Sequence, residues 1–334
     1  MKLALRFTWL ALLLLTSSCF ADIQYTEESK ITGGAASGAM KFAGVFSKDA
    51  RQAMQGSTIT VSVKGNKMRH ESSLGTAEIY DLDARKVITI DLKKKSYAVA
   101  TFDEIRAQME EAKRKAAEQQ AKSQKGKSDG QVTITPKIKI TPGENTKQLL
   151  NYKTSEMKMR VDMEMQGQDE NKQTQTANTW VNADDYIAPV KGYDEVKRFY
   201  VRLAKELDWV PGAVFGGNAQ INQPMIEYRK SAATLNGMPL LSYVSVGMGP
   251  NPGTTGQAAA EATPEKKGNV VTKGLGGMFG RKNKQNDSEA SAGKTASLMD
   301  MQMTVTSISN KPVDAALFEV PAGFTEQKAN KSAK

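Results

Sequence analysis

His70 is the only histidine in the chain, set between Arg69 and Glu71 with Ser72 and Ser73 close behind. Imidazole beside a carboxylate is the usual start of a general base, and a hydroxyl within its reach can become a nucleophile. Neighbours along one strand cannot complete a triad by themselves, so the run reads more simply as a polar strand. No nucleophile elbow, phosphate-binding loop or zinc-ligand spacing occurs. Asp81, Asp83 and Asp91 fall in turn-forming runs, and Asp184-Asp185 is placed to cap the segment before a long helix. The chain is therefore expected not to be an enzyme and to need no cofactor.

Sulfur offers the other chemistry. Met157, Met159, Val161, Met163 and Met165 alternate with Lys158, Arg160, Asp162 and Glu164, and Met299, Met301, Met303 and Val305 alternate with Asp300, Gln302 and Thr304. Period two places each apolar set on one face of a strand. Seven of the sixteen methionines thus belong to two strand faces. Methionine has low β-propensity, so packing alone would more often select Val or Ile there. Thioether sulfur suits Cu(I) or Ag(I). Same-face neighbours in one strand are about 7 Å apart, and only cross-strand pairs, about 5 Å apart, could share an ion. A metal site thus requires the two strands to be sheet neighbours. The commoner use of such residues is a deformable apolar filling or lining.

Those faces need elements to hold them. Alternating runs over 23–31, 39–47, 58–63, 67–73, 77–82, 86–92 and 97–101, separated by polar turns, predict an antiparallel meander. Thr101 three residues before Glu104 predicts a capping box, followed by a charged helix over 102–122 with acid-to-base pairs such as Glu111 with Lys115. Residues 132–140, interrupted by Pro136, predict an edge or bulged strand. The first methionine strand and a return over 174–182 follow. Residues 193–209 form the strongest amphipathic pattern, with Val196, Phe199, Tyr200, Leu203 and Leu207 on one side. Residues 224–235 suit a further helix and 238–248 a strand. Residues 249–296 are rich in Gly, Ala, Lys and Asn, the composition of a disordered insertion.

At the N-terminus, Lys2 and Arg6 precede an apolar run over 7–15 and the small-residue exit Thr16-Ser17-Ser18-Cys19-Phe20-Ala21, which predicts a secretory signal peptide cleaved after Ala21. Lipidation at Cys19 is the alternative, although Thr16 stands where such signals carry Leu. Cys19 is the sole cysteine, so a chain without its leader has no disulfide to draw on. The formal net charge of +10 suits contact with anionic partners. No module for nucleic acid is apparent. Leu275, Met278 and Phe279 beside Arg281 and Lys282 could dip into an anionic membrane face, and a solvated loop is the plainer reading.

Three segments resemble a known group of proteins. Tyr80-Asp81-Leu82-Asp83-Ala84-Arg85-Lys86 through Tyr97 resembles the hairpins of bacterial envelope proteins built like the lipoprotein carriers LolA and LppX. Trp180-Val181 with Gly192-Tyr193-Asp194-Glu195-Val196-Lys197-Arg198-Phe199-Tyr200, and the closing Phe318-Glu319-Val320-Pro321-Ala322-Gly323-Phe324, resemble a domain-of-unknown-function family with that fold. The resemblance implies an α+β domain: a strongly curved antiparallel sheet, a half-barrel, with helices on its concave side and an acyl chain or lipid between. It would cover 22–326 as one domain, with a charged helical insertion at 103–131, the insertion at 249–296 and a loose tail at 327–334.

The expectation is an exported protein of the periplasm or cell envelope that binds or carries a hydrophobic, lipid-like ligand. Its lining would come from Met157, Met159, Val161, Met163, Met165, Met299, Met301, Met303, Phe199 and Leu203. The alternatives are a ligand-free interaction or stress-sensing module of the same fold, docking on an envelope protein, and a methionine-rich copper or silver binder. Ligand identity and oligomeric state are not legible in the sequence.

Overall fold

The computed structural model describes residues 22–35, 56–123, 133–168, 174–207, 219–253, 255 and 297–327. The expected leader, the expected strand over 39–47, and Leu275, Met278, Phe279, Arg281 and Lys282 lie outside the described residues. Among the described residues no helix is long and apolar enough to cross a membrane.

The first half is the expected meander. Strands β1 (Ile23–Gly33), β2 (Ser57–Lys64), β3 (Lys67–Ser72), β4 (Thr76–Asp81), β5 (Lys86–Asp91) and β6 (Ser96–Thr101) pair antiparallel in succession. Two turns repeat one device. Asp81 Oδ1 accepts the amide N–H groups of Asp83 and Ala84 at 3.1 and 2.9 Å, and Asp91 Oδ1 accepts those of Lys93 and Lys94 at 3.1 and 2.9 Å. These are Asx-type turns, and Arg85 and Lys95 complete them at φ 50°.

Helix α1 (Phe102–Ser123) begins with the expected capping box. The Glu104 amide donates to Thr101 Oγ1 at 3.2 Å, and the Thr101 amide donates to Glu104 Oε2 at 2.7 Å. Lys115 pairs with Glu111 as the spacing predicts, whereas Arg114 pairs forward with Glu118.

Strands β7 (Thr133–Leu149), β8 (Tyr152–Gln168) and β9 (Thr174–Ala188) are long. β7 runs well past its expected end, with a register break between Pro142 and Thr146. It is a sheet edge, in keeping with its two prolines. Then come α2 (Tyr193–Leu207), α3 (Ala219–Ala232), β10 (Met238–Met248), β11 (Met299–Ser309), a 3-10 turn (Ala315–Phe318) and β12 (Thr325–Glu326).

All twelve strands form one sheet, ordered β12-β6-β5-β4-β3-β2-β1-β11-β10-β9-β8-β7. This corrects the expected half-barrel in two respects. The sheet is open, with β12 and β7 at its edges, and it is mixed, because β12 runs parallel to β6. The protein is mostly β with three helices, so a broad α+β class is met only in part, and the wholly antiparallel half-barrel is not. The cause lies in the chain's return. Val313 and Phe318 cover Ala77, Ile79, Ile88 and Ile90 on the back of the meander. That crossing delivers Thr325 to the unpaired edge of β6 in the same direction, where its amide donates to the Lys95 carbonyl at 3.0 Å.

Helices α2 and α3 cover the opposite face and divide it. Under α2, Val196, Phe199, Leu203 and Leu207 pack with Ile23, Val61, Val63, Met68 and Tyr80. Under α3, Met225, Tyr228 and Leu235 pack with Met159, Val161, Met163, Val244, Met299, Met301 and Met303. The boundary between these two clusters holds the cavity described next.

Candidate functional site

β1 enters this boundary through Tyr25 and Glu27, two residues apart and therefore on one face. α2 contributes Tyr193 and Tyr200, seven residues apart and two turns along the same stripe. α3 contributes Tyr228 and Arg229, and the sheet floor contributes Met238, Ser242 and Met303. These side chains enclose a cavity of about 70 Å³, room for a few heavy atoms or small groups.

The walls are polar in a one-sided way. Burial is the main cause that raises the hydroxyl pKa of Tyr25, Tyr193 and Tyr228 well above the usual range, and it pushes Tyr200 up to about 12. All four therefore stay protonated and can donate. The Tyr228 hydroxyl donates to Asp185 Oδ1 at 2.9 Å. Asp185 is completely buried. Burial raises its carboxyl pKa to about 6, against the opposing pull of the Ser242 and Tyr228 hydroxyls. The Tyr200 hydroxyl lies 3.1 Å from His70 Nε2, which is also 3.1 Å from Met68 Sδ. Burial, helped by the charge of Arg229, lowers His70 to about 4, so the imidazole is neutral near pH 7. It is held as a packed hydrogen-bonding group and is not poised as a base.

Arg229 and Asp185 each keep a buried polar atom without a partner among the described residues, Nε in the one and Oδ2 in the other. The Arg229 Nη2 points to Met303 Sδ at 3.4 Å, a weak acceptor. No carboxylate among the described residues comes within ion-pair distance of it. Burial works against the guanidinium charge, yet the field of Glu27 and the surrounding tyrosines outweighs burial and raises its pKa. The result is a charged guanidinium facing a small void, with several hydroxyl donors around it. Such an arrangement can bind an acceptor.

The residues singled out from the sequence are distributed unevenly about this cavity. Met159, Val161, Met163, Met299, Met301 and Met303 do meet in one buried cluster, with Met157 packed against its rim. Met165 continues β8, opposite Ile134 and Ala177. Phe199 and Leu203 lie in the other cluster, under α2. Of the ten, only Met303 lines the cavity. The neighbour relation needed for a thioether metal site is absent, because β9 and β10 separate β8 from β11. Met159 faces Ile140 and Ala183, and Met301 faces Ile31 and Val244. Among the described residues no group of three or more His, Cys, Asp or Glu side chains converges as a metal site would require.

Asp184 and Asp185 cap nothing; they are consecutive residues inside β9 and face opposite sides. Asp184 pairs with Arg160 at 2.9 Å and accepts from Thr255 at 2.7 Å on the back of the sheet, while Asp185 joins Tyr228. The residues that sequence reasoning missed are Tyr25, Glu27, Asp185 and Arg229. A signal existed for them. Tyr193, Tyr200 and Tyr228 sit at apolar positions of their helices, and a hydroxyl on a buried stripe needs a polar partner.

No family model matches this chain, and no curated protein matches it either.

Proposed function

We propose that this chain is an exported binding protein for a hydrophobic, lipid-like molecule, seated between the sheet and the pair α2 and α3. The observation that carries the reading is the cavity at the boundary of the two helices, whose sheet side is lined by Met238 and Met303, the latter part of the methionine-rich cluster under α3. The space present takes the polar end of a ligand; an acyl chain requires the methionines to change rotamer and α3 to rise. Methionine has three rotatable bonds and a soft sulfur, so it repacks at low cost. Pro224 lies inside α3 and removes a backbone donor there, which loosens its N-terminal half. The leader-like N-terminus and the resemblance to envelope lipid carriers point the same way.

Native mass spectrometry of the full chain purified from an envelope fraction tests the proposal. A co-purifying lipid mass supports it. Repeated recovery of empty protein, with no uptake from mixed lipid extract, overturns it. In that case the interaction-module reading takes its place, with the exposed, charged α1 as the docking surface.

A further inference from the structure

Taking the lipid-binding reading as its basis, we infer that the ligand carries an oxyanion head, a carboxylate or phosphate bearing one negative charge, and that Arg229 is its receptor. A guanidinium has five N–H donors in a rigid fork suited to two oxygens of one oxyanion. In Arg229 the Nε has no partner among the described residues, and Nη2 has only the Met303 sulfur. Leaving a buried cation without a close counter-charge is costly, and replacing it by an apolar side chain of similar volume is often neutral or stabilising. Arg229 is half-buried under α3 with its Nε enclosed, and packing alone gives no reason for arginine there.

The surroundings match the same ligand. Tyr193 brings a protonated hydroxyl to the void beside Arg229; Tyr25 and Tyr200 also line it but hydrogen-bond each other, with Tyr200 against His70 and Ser242 engaged with Asp185. Tyr228 is already committed to Asp185 and orients the neighbouring wall. The lining carboxylate, Glu27, supports the Arg229 charge from a distance without pairing with it. It also repels a second negative charge in so small a space, which selects a singly charged head over a doubly charged one. Met301 and Met299 continue the apolar row from Met303 along β11, so a tail attached to that head would lie against β11 by displacing these packed side chains.

The test is a binding titration of the full chain with palmitate and hexadecanol, equal in chain length and differing in charge, beside acetate and inorganic phosphate. Hydrogen bonds to a charged group set the expected scale: palmitate should bind about tenfold to a hundredfold more tightly than hexadecanol. Arg229→Met should remove that preference, and Arg229→Lys should keep part of it. Equal affinity for acid and alcohol in the unmodified protein overturns the inference and leaves the lipid reading standing; that comparison needs no variant to fold. Acetate or phosphate binding as tightly as palmitate keeps the oxyanion receptor and removes the lipid. If none of the four binds, both fall.

Discussion

The two helices that lie on one face of the sheet are used differently. α2 presents Val196, Phe199, Leu203 and Leu207 to an apolar floor of Ile23, Val61 and Val63. Apart from Tyr193 and Tyr200 at the cavity, its charged residues pair along the helix surface, as Arg198 does with Glu195. α3 lies on methionines, places Tyr228 on Asp185 and turns Arg229 to the cavity. Branched side chains with few rotamers specify one packing; thioethers and buried polar groups tolerate several. The contrast suggests that α2 holds the fold together while α3 is the part that can yield, and the cavity lies where one regime gives way to the other.

The largest expected effect comes from breaking the tight side. Leu203→Ala empties a fully buried position under α2 and should lower unfolding free energy by about 3 kcal/mol or more. Met301→Leu under α3 should cost less than about 1.5 kcal/mol. Urea midpoints of the two variants measure the difference, and equal losses would erase the distinction between the helices.

Next come two opposed pH effects. Asp185 has its folded pKa raised to about 6. The native state therefore holds a proton that the unfolded chain has released, and stability falls as pH rises from about 4 through about 6. Asp185→Asn should be more stable than the parent at pH 8, by on the order of 2–3 kcal/mol, and should lose that slope. His70 behaves in the opposite sense. Its folded pKa is lowered to about 4, so its contribution is complete above the ordinary histidine value and disappears as pH falls toward 4. His70→Gln should remove that acid sensitivity and leave the Asp185 slope exposed. Thermal melts between pH 4 and pH 8 read both, and parallel profiles for the two variants would show that the two sites are not electrically distinct.

The smallest expected change is a gain. Arg229→Met in the ligand-free protein should raise stability by about 1 kcal/mol, since a buried charge without a close partner is exchanged for an apolar side chain. A loss of several kcal/mol in the same melt would mean that Arg229 is a structural element of the α3 face.

Much of the framework was legible along the chain. The capping box of Thr101 and Glu104, the turns at Asp81 and Asp91, the stripe on α2 and the dry faces of both methionine strands all depend on contacts a few residues apart or on a simple period. The course of β12 was not legible, because a parallel edge strand of two residues leaves almost no pattern and is decided by where the chain end is delivered. Nor was the fate of Asp184 and Asp185. Two adjacent carboxylates look alike in sequence, yet alternation inside a strand sends one to an arginine and the other to a tyrosine on opposite faces.

The sequence by itself located the strands β2 to β6, both methionine strands and the helices α1 and α2, and the dry side of those strands and of α2, since backbone period and burial are local properties. Only the tertiary structure decided that β9 and β10 lie between the methionine strands, that the sheet stays open, and that Arg229 faces a cavity with no carboxylate among the described residues in ion-pair contact with it. Those outcomes depend on strand order and on which distant side chains arrive at one point. A one-dimensional pattern carries neither, because many strand orders bury the same faces equally well.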